Sequence, residues 1–100
     1  MGGAYPAKET LMTKYEPLNR HLRAMKTPRW RASFQEIEAI ISDTLPPSAR
    51  RYPAWWANDH RKGRQSWAWL EAGYRTCDVD VIGGEVTFVR EGWWAMSWAF

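Results

Sequence analysis

The chain has 100 residues, with 14 Lys and Arg against 11 Asp and Glu, a formal charge of +3 and a pI near 9.3. That length gives one domain with a thin core, for which the eight Trp compensate because each indole buries a large area. The single Cys77 excludes an intramolecular disulfide and fits a reducing cytosol, no apolar run reaches membrane-spanning length, and the first residues lack the basic start and apolar stretch of a secretory signal. A cytoplasmic location and no membrane partner are therefore expected.

Residues 1–13 read as a flexible leader. Pro17 suits a first helical position, and Leu18, Leu22 and Met25 follow at helical spacing, so a first helix is predicted from near Glu16 to Pro28. Its cations, Arg20, Arg23 and Lys26, meet no acid between Pro17 and Arg31. Residues 29–32 alternate as a short strand. Ser33 and Glu36 then have the spacing of a capping box, ahead of an apolar stripe of Phe34, Ile37, Ile40 and Ile41. This second helix stops before Leu45-Pro46-Pro47, because a proline disfavours helix in the residue before it.

Ser48 is placed to cap a short helix through Tyr52, and Pro53 to open another turn over residues 54–58. A basic turn, Asp59 to Gly63, leads to a helix from Arg64 or Gln65 to Ala72, with Gly73 as its left-handed cap. Two strands, residues 74–82 and 85–90, flank Gly83-Gly84, a two-residue hairpin signal. Cys77, Val79 and Val81 alternate with Asp78 and Asp80, which predicts that Cys77 is buried and that the two aspartates face Arg75 or Arg90 across the hairpin. Val86 and Phe88 share a face of the return strand. The expected fold is a small α+β, winged-helix-like domain over residues 14–92, with three or four short helices and a C-terminal β-hairpin; an irregular α+β domain is the alternative. Residues 93–100 form a Trp-rich tail that packs on the sheet or in an interface.

KYEPL at residues 14–18, SFQEIEAII, LPPSARRYPAWWAND and WLEAGY at residues 69–74 resemble a small, uncharacterised bacterial and phage domain family. Its pattern is a Leu-Pro-x-Ser-Ala turn, a Trp-Trp-Ala-Asn or Trp-Trp-Ser-Asn motif, a Gln before a Trp-containing helix, and a closing hairpin. The resemblance covers residues 14–90. It implies a domain found alone or attached to nuclease-like and restriction-like modules, hence DNA association without an established catalytic role. Ser66-Trp67 departs from the pattern, as does the tail.

Charge carries the functional expectation. Between Arg50 and Arg64 five basic residues meet one acid, Asp59, which puts +4 in fifteen residues of a +3 chain. Arg50, Arg51, Arg61, Lys62 and Arg64 are the candidate phosphate contacts, with Arg20, Arg23, Arg29 and Arg31 able to flank the same groove. His60 and Gln65 are candidate hydrogen-bonders to phosphate or base, whereas Asn58 is read as a local cap. Trp55 and Trp56 point to different sides of any helix, so at least one is expected in the core together with Trp69; Trp67 is the candidate exposed stacking ring. Nucleic acid, DNA first, is thus the expected partner. The alternative is a protein-interaction module or homodimer that docks through Trp93, Trp94, Trp98 and Phe100. No catalytic residue, cofactor or metal is expected: His21 and His60 are far apart, there is no His/Cys cluster, and no Gly-rich phosphate loop precedes a helix.

Overall fold

A computed structural model describes residues 7–61 and 63–91, with residues 7–13 as backbone only. The elements run α1 (Ala7–Ala24), β1 (Arg29–Ser33), α2 (Phe34–Ile41), α3 (Pro47–Arg51), a 3-10 turn (Pro53–Trp56), α4 (Trp67–Leu70), β2 (Tyr74–Asp80) and β3 (Glu85–Arg90). Four helices pack with one antiparallel sheet of strand order β1-β3-β2, so the domain is α+β.

Helix α1 begins at Ala7, inside the stretch read as a leader, and Pro17 lies within it rather than at its start. The helical spacing still selects the buried face: Tyr15, Leu18 and Leu22 are buried and Met25 packs against the core. Asn19 shares that face. Its Nδ2 donates to the Ala68 carbonyl at 3.0 Å and to Glu71 Oε1 at 3.1 Å, and its Oδ1 accepts from Arg23 Nε at 2.9 Å. These bonds tie α1 to α4 without leaving a buried amide unpaired.

Helix α2 starts as its sequence requires. Ser33 accepts from the Glu36 N–H at 2.9 Å, and Glu36 accepts from the Ser33 N–H at 2.8 Å, a complete capping box. The helix ends at Ser42, which takes the left-handed conformation, φ 55° and ψ 39°. Phe34, Ile37 and Ile41 are buried, with Ile40 at the margin. Helix α3 is entered through Pro46, with Pro47 in its first turn, so Ser48 lies inside the helix and is not its cap.

Strand β1 crosses β3 in register, with Trp30 opposite Phe88 and Ala32 opposite Val86. Two further bonds, Phe34 N–H to the Gly84 carbonyl at 2.8 Å and Arg90 N–H to the Pro28 carbonyl at 2.7 Å, lengthen that ladder. Strand β2 corrects the expected face. Tyr74 and Thr76 are buried, and Cys77 is exposed. After Cys77 pairs with Thr87, Asp80 pairs with Glu85, so Asp78 and Val79 together oppose Val86, a β-bulge. Asp78 takes φ 49°. The extra residue reverses the alternation, so Tyr74 and Thr76 face the core before the bulge while Val79 and Val81 reach it afterwards. Arg31 spans this irregularity, donating from Nη1 to the Asp78 carbonyl at 2.8 Å and to Thr87 Oγ1 at 2.7 Å, and from Nε to Glu85 at 3.2 Å.

The hairpin loop is four residues, Val81 to Gly84, rather than two. The Gly84 N–H donates to the Asp80 carbonyl at 2.8 Å, and Asp80 Oδ1 accepts from the Gly83 N–H at 2.8 Å. Asp80 is thus occupied by its own turn, Asp78 lies 4.0 Å from Arg29, and Arg90 donates to the Met25 carbonyl at 2.8 Å. The Arg90 bonds are therefore not the predicted cross-hairpin pair with an aspartate.

The core is a run of rings. Phe34 stacks on Trp56 (5.1 Å between centroids), Trp56 on Trp69 (5.8 Å), Trp69 meets Phe88 edge-on (6.0 Å), and Phe88 stacks on Trp30 (5.5 Å). These contacts join α2, the 3-10 turn, α4 and the sheet in one apolar body.

Ser42 supplies a test of the local geometry. Glycine adopts the left-handed region without a Cβ penalty, so Ser42→Gly is expected to stabilise the fold by about 0.5–1 kcal/mol, read as a higher urea midpoint with an unchanged slope.

Candidate nucleic-acid interface

The basic segment leaves α3, passes through the 3-10 turn and closes on α4. Trp56 anchors its first half: the ring is buried, and Nε1 donates to the Ala49 carbonyl at 2.9 Å. Trp55, its neighbour, is half-buried, edge-on to Trp56 at 4.6 Å and to Tyr15 at 5.8 Å. Successive residues diverge around a helical turn, so one ring enters the core and the other covers it.

Asn58 anchors the second half, and its bonds are long-range rather than local. Oδ1 accepts from the Thr76 N–H at 2.9 Å and from Trp69 Nε1 at 3.1 Å, while Nδ2 donates to the Thr76 carbonyl at 3.1 Å. The amide therefore stands where the peptide group of another strand would pair with the open edge of β2. Thr76 Oγ1 adds a bond to the Trp56 carbonyl at 2.5 Å. Sequence reasoning missed this role. A signal was present, since the Trp-Trp-Ala-Asn run places one amide just after a core indole.

Asp59 organises the turn that follows. Its Oδ1 accepts from the Arg61 N–H at 3.0 Å, and Oδ2 lies 2.7 Å from Arg61 Nη2 and 3.3 Å from Arg64 Nε. Ser66 Oγ donates to the Asp59 carbonyl, and Gln65 Nε2 donates to the Trp55 carbonyl at 2.7 Å. Gln65 thus closes the loop and has committed its amide N–H to the backbone. Arg50 pairs with Glu38 at 2.5 Å, and Glu38 also accepts from the Leu45 N–H at 2.7 Å.

Arg50, Arg51, His60, Arg61 and Arg64 are all exposed. The structure divides them, with Arg61 and Arg64 on Asp59 and Arg50 on Glu38. Trp67 is half-buried and packs against the core, so it is not the exposed ring that its position in the sequence implied. Arg20, Arg23, Arg29 and Arg31 pair with Glu16, Glu71, Asp78 and Glu85 respectively. Lys62 and the tail residues Trp93, Trp94, Trp98 and Phe100 lie outside the described residues. Among the described residues no group of His, Cys, Asp and Glu could hold a metal ion, and no helix is long and apolar enough to cross a membrane.

Residues 15–92 match the model of a family described as a domain of unknown function (DUF7662). The chain belongs to this family. The match spans Tyr15, which is buried, and the three strands of the sheet. No curated protein and no solved structure matches the chain.

Two tests follow from the clamp and the carboxylates. Asn58→Ala leaves the Thr76 backbone and the Trp69 indole without partners, so it is expected to cost about 2–4 kcal/mol in chemical denaturation. The carboxyl groups of Asp59 and Glu38 are held below their usual range, Asp59 by side-chain and backbone hydrogen bonds from Arg61, Glu38 by the Leu45 N–H and then by Arg50. A depressed folded-state pKa stabilises the fold above the unfolded value, about 4 for such groups, and that stability is lost as pH falls through the folded value. The unfolding midpoint should therefore decline on acidification below about pH 4, and Asp59→Asn should flatten that decline.

Proposed function

We propose that this chain is a small nucleic-acid-binding domain, DNA being the first candidate, that uses the segment from Arg50 to Arg64. One observation carries the reading. Four guanidinium groups, those of Arg50, Arg51, Arg61 and Arg64, stand exposed on one segment, and among the described residues their carboxylate partners are Glu38 and Asp59. Ion pairs this exposed contribute about 0–1 kcal/mol each, so incoming phosphates exchange with them at little cost. Meanwhile the Asn58 clamp and the Gln65 and Ser66 bonds hold the backbone in place, which lowers the ordering cost of binding.

The order helix, strand, helix, helices, hairpin, with sheet order β1-β3-β2, also supports a winged-helix-like reading. Where such a domain offers a long recognition helix, this chain has the single turn α4, with Ala68 and Trp69 buried. Binding here would rest on phosphate contacts from the exposed segment, with no helix laid in the major groove.

Fluorescence anisotropy with labelled single-stranded and duplex DNA at rising salt tests the proposal. Binding should weaken steeply with salt, and Arg51→Ala should lower affinity across sequences and reduce the salt slope by about one. Absence of binding to either form at low salt would rule the proposal out and shift attention to a protein partner.

A further inference from the structure

We infer that Tyr52 is a stacking platform for an unpaired base, which makes single-stranded DNA the ligand of the basic segment. The inference rests on the nucleic-acid reading above and narrows it. Among the described residues, the large apolar side chains left exposed are Tyr52, at 54%, and Ile82 at the hairpin tip. Trp30, Trp55, Trp56, Trp67, Trp69 and Tyr15 are buried or packed against the core, so among the described Trp, Tyr and Phe rings Tyr52 is the exposed one.

Its setting suits that role. Tyr52 is the joint between α3 and the 3-10 turn. Its N–H donates to the Ser48 carbonyl at 2.9 Å and its carbonyl accepts from the Trp55 N–H at 3.1 Å, so the backbone on both sides is bonded. Two residues that restrict the chain flank this joint, Pro53 after it and the helical Arg51 before it. A ring carried on a bonded backbone suits base stacking, because little backbone freedom is lost on binding. Arg50 and Arg51 precede it in the chain and are exposed, Arg50 in its pair with Glu38, which supplies cations for neighbouring phosphates. A duplex keeps its bases stacked on one another and presents no free face to such a ring. Together these features favour a single strand.

The test compares wild type, Tyr52→Ala and Tyr52→Trp in anisotropy titrations against a labelled single-stranded oligonucleotide and the matching duplex. Thermal unfolding confirms that all three are folded, as expected for an exposed side chain. Tyr52→Ala should bind the single strand roughly 5- to 150-fold more weakly with an unchanged salt slope, because stacking neutralises no phosphate, and Tyr52→Trp should bind at least as well as wild type. Equal binding by Tyr52→Ala and wild type would overturn the inference and leave the nucleic-acid reading standing. Preference of the wild type for duplex would do the same. Failure of the wild type to bind either form would remove both.

Discussion

The architecture depends on one side-chain amide. Strand β2 lies at the edge of the sheet, and the outward N–H and C=O of Thr76 would be unpaired without a neighbour. Asn58 satisfies both and receives the Trp69 indole N–H as well, so a single residue closes the sheet, seats α4 and fixes the path of the basic segment. No other side chain of this size offers a donor and an acceptor in the spacing of a peptide group. A carboxylate has no donor for the Thr76 carbonyl, and an aliphatic residue has neither.

The aromatic core and the clamp support one another. Trp56 and Trp69 stack at 5.8 Å, and each indole N–H is paired, one to the Ala49 carbonyl and one to Asn58. Burying a ring with a donor costs free energy unless the donor is bonded. A segment rich in polar and basic residues can therefore lie against an apolar core: its two anchors, the buried Trp56 and the half-buried Asn58, are satisfied, and Arg50, Arg51, Arg61 and Arg64 are exposed. The result is a charged surface with a rigid base. Asp59 pairs with Arg61 and Arg64, and Glu38 with Arg50, each through an exposed guanidinium.

Much of the local structure was legible in the sequence. Ser33 and Glu36 form the capping box that their spacing announces, Gly73 takes φ 87°, and the buried residues of α2, with Val86 and Phe88, fall where periodicity puts them. These features depend on neighbours a few residues away, which sequence patterns record. The misread positions depend on distant partners. Cys77 was assigned to the core because the alternation with Val79 and Val81 was unbroken, yet a bulge between them reverses the parity. Trp67 looked exposed because it sits beside a buried Trp69, but both sides of the one-turn α4 are partly covered.

By itself the sequence determined the α+β class, the order of its elements, the buried faces of α1 and α2, the burial of Trp69 and the concentration of positive charge between Arg50 and Arg64. Tertiary structure alone decided that Arg50 meets Glu38 and Arg64 meets Asp59, that Gln65 serves the Trp55 carbonyl, that Asn58 pairs with a strand eighteen residues away, and that Tyr52 is exposed. The physical reason is the range of the interactions. Helix caps, turns and hydrophobic periodicity are set by near neighbours along the chain, whereas hydrogen-bond satisfaction at a sheet edge and the exposure of a single ring depend on which remote segments the fold brings together.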